Sequence, residues 1–234
     1  MTTRLSALVL AALAASLPLA VGDHSAAADP YCPPSEMSVP GSAPFTTTAA
    51  VFDSSGTLGM YGNFHVAYDL PAGTAFLHQY GTFPTTSLRA SDAFDLAGVP
   101  PGTRVDVTVE CTVTGAVYTS GCAATGCYGV FGDRLSSGAY ADEREHRISL
   151  FVGRREFTDV LRLSLSMVAS WPVRIDVTLY GNNSLVGNHG SEGTSQLRFI
   201  AADPAVRVVS CQGYGAAPVP VRGTTWGHLK VSYR

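Results

Sequence analysis

Between Arg104 and Thr114 the chain alternates without a break. Val105, Val107, Val109, Cys111 and Val113 fall on one side. Arg104, Asp106, Thr108, Glu110, Thr112 and Thr114 fall on the other. A period of two places the valines on one face of an extended strand, whereas a helix would scatter them around its axis. Phe94 and Leu96 begin the same alternation upstream, and Val99-Pro100-Pro101-Gly102-Thr103 has the composition of a turn. Asp92–Gly115 therefore reads as strand, turn, strand, with one apolar face that other elements must cover.

The rest of the chain supplies more strands. Thr46–Phe52 is a candidate edge strand. Leu58–Leu70 places Phe64, Val66, Tyr68 and Leu70 at strand spacing, with Gly62 as a gap. Ala75–Phe83 follows the Pro71-Ala72-Gly73 turn. Arg147–Val152, Glu156–Trp171, Val173–Tyr180, Gln196–Ala201 and Val206–Cys211 complete the set. In Glu156–Trp171, Leu161, Leu163, Leu165 and Met167 alternate with Arg162, Ser164 and Ser166, which favours strand over helix. Gly115–Gly138 reads as a long loop or an elaborated hairpin tip. Ala139–Arg147 reads as a charged connection, and Gly181–Gly193 as a polar loop. The sum is an all-β chain, an antiparallel β-sandwich of jelly-roll type with roughly eight to ten strands.

Met1–Ala28 has the pattern of a cleaved export signal: a basic start, a Leu/Ala/Val-rich run, and Ala26-Ala27-Ala28 before Asp29. Ser16 and Pro18 interrupt the run, which is short for a membrane span. No later stretch is apolar enough to cross a bilayer. Residues 29–215 are then expected to form a single sandwich domain. Residues 216–234 are expected to form a Pro-rich linker and a basic, aromatic tail. That tail either docks on a sheet edge or serves as an address. The expected location is outside the cell, in the periplasm or at the cell surface. Charged residues make up 14% of the chain and the net charge is −3, so no basic field for nucleic acid exists.

Export permits disulfides. The cysteines are 32, 111, 122, 127 and 211, an odd number. Cys122 and Cys127 lie close together in GCAATGC and are expected to pair. Cys111 and Cys211 end two β-like runs and form a weaker candidate bridge. Cys32 competes for Cys211. A single close pair does not make a zinc motif.

The strings that carry chemistry are few. His189-Gly190-Ser191-Glu192-Gly193 resembles a nucleophile elbow only loosely, with His where a glycine belongs. The six histidines are scattered, although His65 and His78 would meet if their strands paired across Pro71–Gly73. Asp133, Asp142, Glu143 and Glu145 share one stretch but lack the spacing of a calcium loop. No cofactor and no metal ligand set are assigned. Asp106, Glu110 and Asp176 lie on polar strand faces and are the carboxylates that a secreted polysaccharide hydrolase would need. Tyr118, Tyr128, Phe131 and Tyr140 are candidate ligand contacts, aromatic rings able to stack on a sugar or anchor a protein surface. Their alternative role is to cover the open end of the core.

The string Phe94-Asp-Leu-Ala-Gly-Val-Pro-Pro-Gly-Thr resembles the turn-strand unit of uncharacterised secreted bacterial β-sandwich proteins. The ending Trp226-Gly-His-Leu-Lys-Val-Ser-Tyr-Arg234 is similar to the C-termini of exported bacterial proteins. The resemblance implies a secreted bacterial protein and brings no activity, cofactor or site with it. These features together favour an exported, non-catalytic structural or binding module over a hydrolase, with carbohydrate or a protein surface as the partner classes.

Overall fold

Thirteen strands and no helix are found in the computed structural model, which describes residues 32–39, 42–57, 62–81, 85–120, 127–149, 152–183 and 188–215. The strands are β1 (Ser35–Ser38), β2 (Phe45–Thr47), β3 (Val51–Thr57), β4 (Gly62–Asp69), β5 (Thr74–Gly81), β6 (Thr86–Ala97) and β7 (Arg104–Ser120). They continue as β8 (Gly129–Ser137), β9 (Tyr140–Ile148), β10 (Gly153–Val168), β11 (Val173–Asn183), β12 (Asn188–Ala201) and β13 (Arg207–Ser210). Two antiparallel sheets result. The six-stranded sheet runs β10-β7-β12-β5-β4-β3. The seven-stranded sheet runs β2-β1-β6-β11-β8-β9, with β13 also on β6.

Strands β5 to β12 trace a jelly roll. The pairs β8/β9, β7/β10, β6/β11 and β5/β12 are all antiparallel, each nested outside the last. Successive pairs alternate between the sheets, so one long hairpin of strand pairs is rolled into a sandwich. The alternating valines fill its centre. Val105, Val107, Val109, Cys111 and Val113 are all buried, while Arg104 and Asp106 are exposed. They pack with Leu88, Phe94, Leu135, Ile175 and Leu179 of the facing sheet. The Pro-Pro-Gly turn does not close a hairpin. It carries the chain from one sheet to the other, with Gly102 at φ 80° and its N–H donating to the Ala169 carbonyl at 2.9 Å. Only glycine takes that φ without strain.

Several boundaries differ from the sequence reading. The stretch read as a charged connection, Ala139–Arg147, is an edge strand, β9. Edge strands tolerate charge on both faces, and charge there discourages pairing with other chains, so no alternation betrays them. Of the strand expected at Arg147–Val152, Arg147 and Ile148 end β9, and residues 150–151 lie outside the described residues. Gly115–Gly138 is chiefly the end of β7 and all of β8, again in different sheets. Gly181–Gly193 is chiefly the ends of β11 and β12. There the buried side chains His189 and Ser191 are polar, which hides the inward face from a hydrophobicity pattern. The short strands β1 and β2, outermost beyond β6 in the seven-stranded sheet, raise the strand count further.

The Cys111–Cys211 bridge does not form. Cys211 pairs with Cys32 at a Cα separation of 5.8 Å, and Cys111 is a buried thiol. Topology explains the choice. β1 and β13 share one side of β6, along Ser87–Arg89 and Phe94–Ala97 respectively. Cys32 precedes β1 and Cys211 follows β13, so the disulfide joins the segments flanking two short neighbours of β6. Cys111 lies mid-strand in the other sheet. Cys127 is disulfide-bonded, and Cys122 lies outside the described residues. So do the expected export signal and the C-terminal tail.

Candidate functional site

The outer face of the six-stranded sheet carries a cleft of about 640 Å³. Its walls are built by strand register. Glu156 of β10 and Glu192 of β12 both pair with Ala116 of β7, one on each side. The two glutamates are thus two strand spacings apart, roughly 10 Å at Cα. Thr158, Thr114, Thr194 and Phe76 form the next row across β10, β7, β12 and β5. Arg154, Tyr118, Gly190 and Tyr80 form the row on the other side. Phe76, Thr114, Thr158, Thr194, Arg154, Glu156 and Glu192 line the cleft, with Gly115, Gly193 and Phe157 completing it.

Charge in the cleft is paired. Arg154 donates from Nε to Glu156 Oε1 and from Nη2 to Glu192 Oε1, both at 3.2 Å. His78 Nδ1 lies 3.4 Å from Glu192 Oε2. The Arg154 guanidinium also stands 5.8 Å over the Tyr118 ring. Tyr118 and Tyr80 stack at 6.2 Å between centroids, with 26° between planes. Burial first, then Glu192 and Tyr80, push the Tyr118 hydroxyl up to about 12, against a smaller downward pull from Arg154. Tyr118 therefore stays a neutral donor across the physiological range. The arrangement presents flat aromatic and guanidinium surfaces beside carboxylate and hydroxyl groups. Such a site can stack on a ring and hydrogen-bond its rim.

Of the aromatic candidates, Tyr118 borders this cleft. Tyr128 sits instead under Arg147, whose guanidinium carbon is 4.7 Å from its ring centroid. Tyr140 is 67% exposed at the β8–β9 turn. Phe131 is fully buried against Phe157 and belongs to the core, so it cannot be a ligand contact. Strand parity decides this. Phe131 shares the inward face of β8 with Leu135, whereas Tyr118 lies on the outward face of β7.

The three carboxylates picked from sequence do not converge. Asp106 and Glu110 lie on the outer face of the six-stranded sheet, and Arg162 holds Glu110 at 2.8 Å. Asp176 lies on the outer face of the opposite sheet, accepting from Ser91 Oγ at 2.5 Å and Arg174 Nε at 2.8 Å. His65 and His78 do stand directly opposite each other on β4 and β5. His65 Nε2 is 2.8 Å from Asp53 Oδ1. Asp142 is held by Arg144, Glu143 by Arg134 and Glu145 by the Tyr180 hydroxyl.

Sequence reasoning missed Phe76, Arg154, Glu156 and Glu192. They come from three strands, and register alone brings them together. It named Asp133 as a possible calcium residue but missed His146 and Asp159, which join it from β9 and β10; the ligating atoms of the three all lie within 4.8 Å of one another. Asp133 is fully buried, and its carboxyl is pushed up to about 7 by burial first and by Asp159 second.

No protein-family model matches the sequence, and no curated protein matches it. Among solved structures, the chain is similar to TmCBM61 in complex with beta-1,4-galactotriose, at 12% identity and TM-score 0.24 over 53% of this chain and 70% of that one. It is similar to a cyclase from Fischerella sp. TAU in complex with 4-(1H-indol-3-yl)butan-2-one, at 13% identity and TM-score 0.30 over 72% and 90%. It is also similar to carbohydrate-binding modules from the β-sandwich superfamily, at 8% identity and TM-score 0.24 over 72% and 85%.

Proposed function

We propose that this protein is an exported, non-catalytic module that binds carbohydrate in the cleft on the outer face of its six-stranded sheet. In this reading residues 1–28 are removed on export, 29–215 form one domain, and 216–234 are a linker and tail. The Cys32–Cys211 disulfide supports an oxidising location.

The observation that carries the reading is the cleft itself. Sugars offer an apolar face and a rim of hydroxyls. Phe76 with the neighbouring Tyr80–Tyr118 stack supplies the surface for the first. Arg154, Glu156, Glu192 and three threonines supply donors and acceptors for the second. Arg154 lies between the two glutamates and bonds both, which suits recognition of hydroxyls better than proton donation. The separation of Asp176 from Asp106 and Glu110 on opposite faces also argues against the hydrolase.

The test is affinity electrophoresis and calorimetry of the purified protein against a panel of soluble polysaccharides, with reducing-end release assayed in parallel. Binding without release, weakened at least about tenfold (about 1.4 kcal/mol) by Arg154→Ala or Phe76→Ala at unchanged thermal midpoint, is expected. No retention on any glycan would overturn the carbohydrate assignment, and steady release of reducing ends would restore the hydrolase.

A further inference from the structure

The seven-stranded sheet ends at β9 and the six-stranded sheet ends at β10, on the same side of the sandwich. At that side three ligand-bearing side chains point into the gap between the sheets. Asp133 comes from β8, His146 from β9 and Asp159 from β10. Their parity is inward, since Phe131 and Leu135 flank Asp133, and Phe157 and Leu161 flank Asp159, all facing the core.

Asp133 is 0% exposed, and neither of its carboxylate oxygens has a hydrogen-bond donor. A buried carboxylate with no donor that faces a second carboxylate, Asp159, is costly. Arg144 is its Cα partner across the β8–β9 pair, yet the Arg144 Nη1 bonds Asp142 and the Glu143 carbonyl instead. The other two members are nearly buried, with side chains 12% and 15% exposed, and His146 Nε2 contacts Asp159 Oδ2. That residual exposure leaves a path from solvent. Phe157 stacks on the imidazole at 3.9 Å between centroids and 7° between planes, fixing the ring in its orientation.

We propose that Asp133, His146 and Asp159 bind one divalent transition-metal ion of the zinc class, which clips the two sheets together at their β9–β10 edge. One imidazole and two carboxylates make a mixed nitrogen–oxygen set. Imidazole suits zinc and its neighbours, while calcium and magnesium prefer oxygen alone. The ion would supply the positive charge that both Asp133 oxygens lack. Three protein ligands leave a position for water, consistent with the solvent path past His146. The site lies on the core side of β10, with Phe157 bordering both it and the outer cleft, and it does not rest on the carbohydrate reading.

The experiment uses the exported full-length protein, stripped with chelator and titrated with zinc chloride by calorimetry and thermal shift. One ion per chain and a rise of several degrees in the thermal midpoint are expected. Asp133→Asn keeps the shape of the side chain. It should weaken zinc at least about 100-fold, a loss at or beyond the upper end seen on removing second-shell support, and abolish the thermal rise. Should Asp133→Asn fail to fold, His146→Gln takes its place, and the cobalt-substituted wild type provides a second readout through its visible ligand-field bands. His65→Ala should leave binding unchanged. The proposal is overturned if the stripped protein binds neither zinc nor cobalt. It is overturned equally if Asp133→Asn or His146→Gln binds as tightly as wild type, or if calcium binds in preference to zinc.

Discussion

Gly190 lies directly opposite Tyr118 across the β7–β12 pair, and the tyrosine ring lies flat over it, so close that a methyl group on Gly190 would overlap the ring. The absence of a side chain at 190 thus sets the angle of the tyrosine that borders the cleft. Gly190→Ala must lift Tyr118 off the sheet and break its stack on Tyr80. A loss of about 1–3 kcal/mol in stability is expected, as for other overpacked sites, together with weaker glycan binding. Chemical denaturation and calorimetry check both, and an unchanged Tyr118 environment by fluorescence would contradict the expectation.

Val107 is 1% exposed near the start of β7, the longest strand among the described residues. Val107→Asp buries an unpaired charge costing several kcal/mol, against a total stability of about 5–15 kcal/mol. The variant should fail to fold, as read by circular dichroism and secretion yield. A folded Val107→Asp with native thermal midpoint would refute the placement of that face.

The free Cys111 and the bonded pair Cys32–Cys211 should behave oppositely. Cys111 is fully buried, and burial first and Asp133 second push its thiol up to about 12. It should resist alkylation at pH 8 in the native protein and react fully in denaturant. Cys32 and Cys211 close a loop across a sequence separation of 179 residues. Removing that bridge with Cys32→Ser should cost about 2–5 kcal/mol, and peptide mapping that joins Cys111 to either would contradict the pairing.

The metal-free protein should show a pH dependence of definite sign. The Asp133 carboxyl titrates higher in the folded chain, about 7, than its ordinary 3.8. Between those values the native state holds a proton that the unfolded chain has released. Stability is therefore favoured below that window and falls as pH rises through it. Asp133→Asn should remove this contribution, so the difference between wild type and variant should change across roughly pH 4 to 7. A difference that stays flat across that range would count against the buried, uncompensated carboxyl.

Much of the fold was legible because burial imposes a period on any strand with one dry face. The valines of β7, the leucines of β10 and the Val/Ile run of β11 each declared themselves that way. The sandwich class, its jelly-roll type and the proximity of His65 to His78 across a short turn followed from local pattern alone. The charged edge strand β9 and the polar-cored end of β12 did not, because neither buries an apolar row.

What the sequence could not decide was partnership. Which sheet a strand joins depends on long-range pairing, and so Pro100-Pro101-Gly102 turned out to be a crossing between sheets. Cys32 met Cys211 because β1 and β13 share one side of β6, 179 positions apart in sequence. Phe131 and Tyr118 look alike in the chain, yet one residue of strand parity sends the first into the core and the second to the cleft. Arg154, Glu156 and Glu192, like Asp133, His146 and Asp159, carry no shared spacing. Register across separate strands assembles each group, and register is a property of the folded sheets.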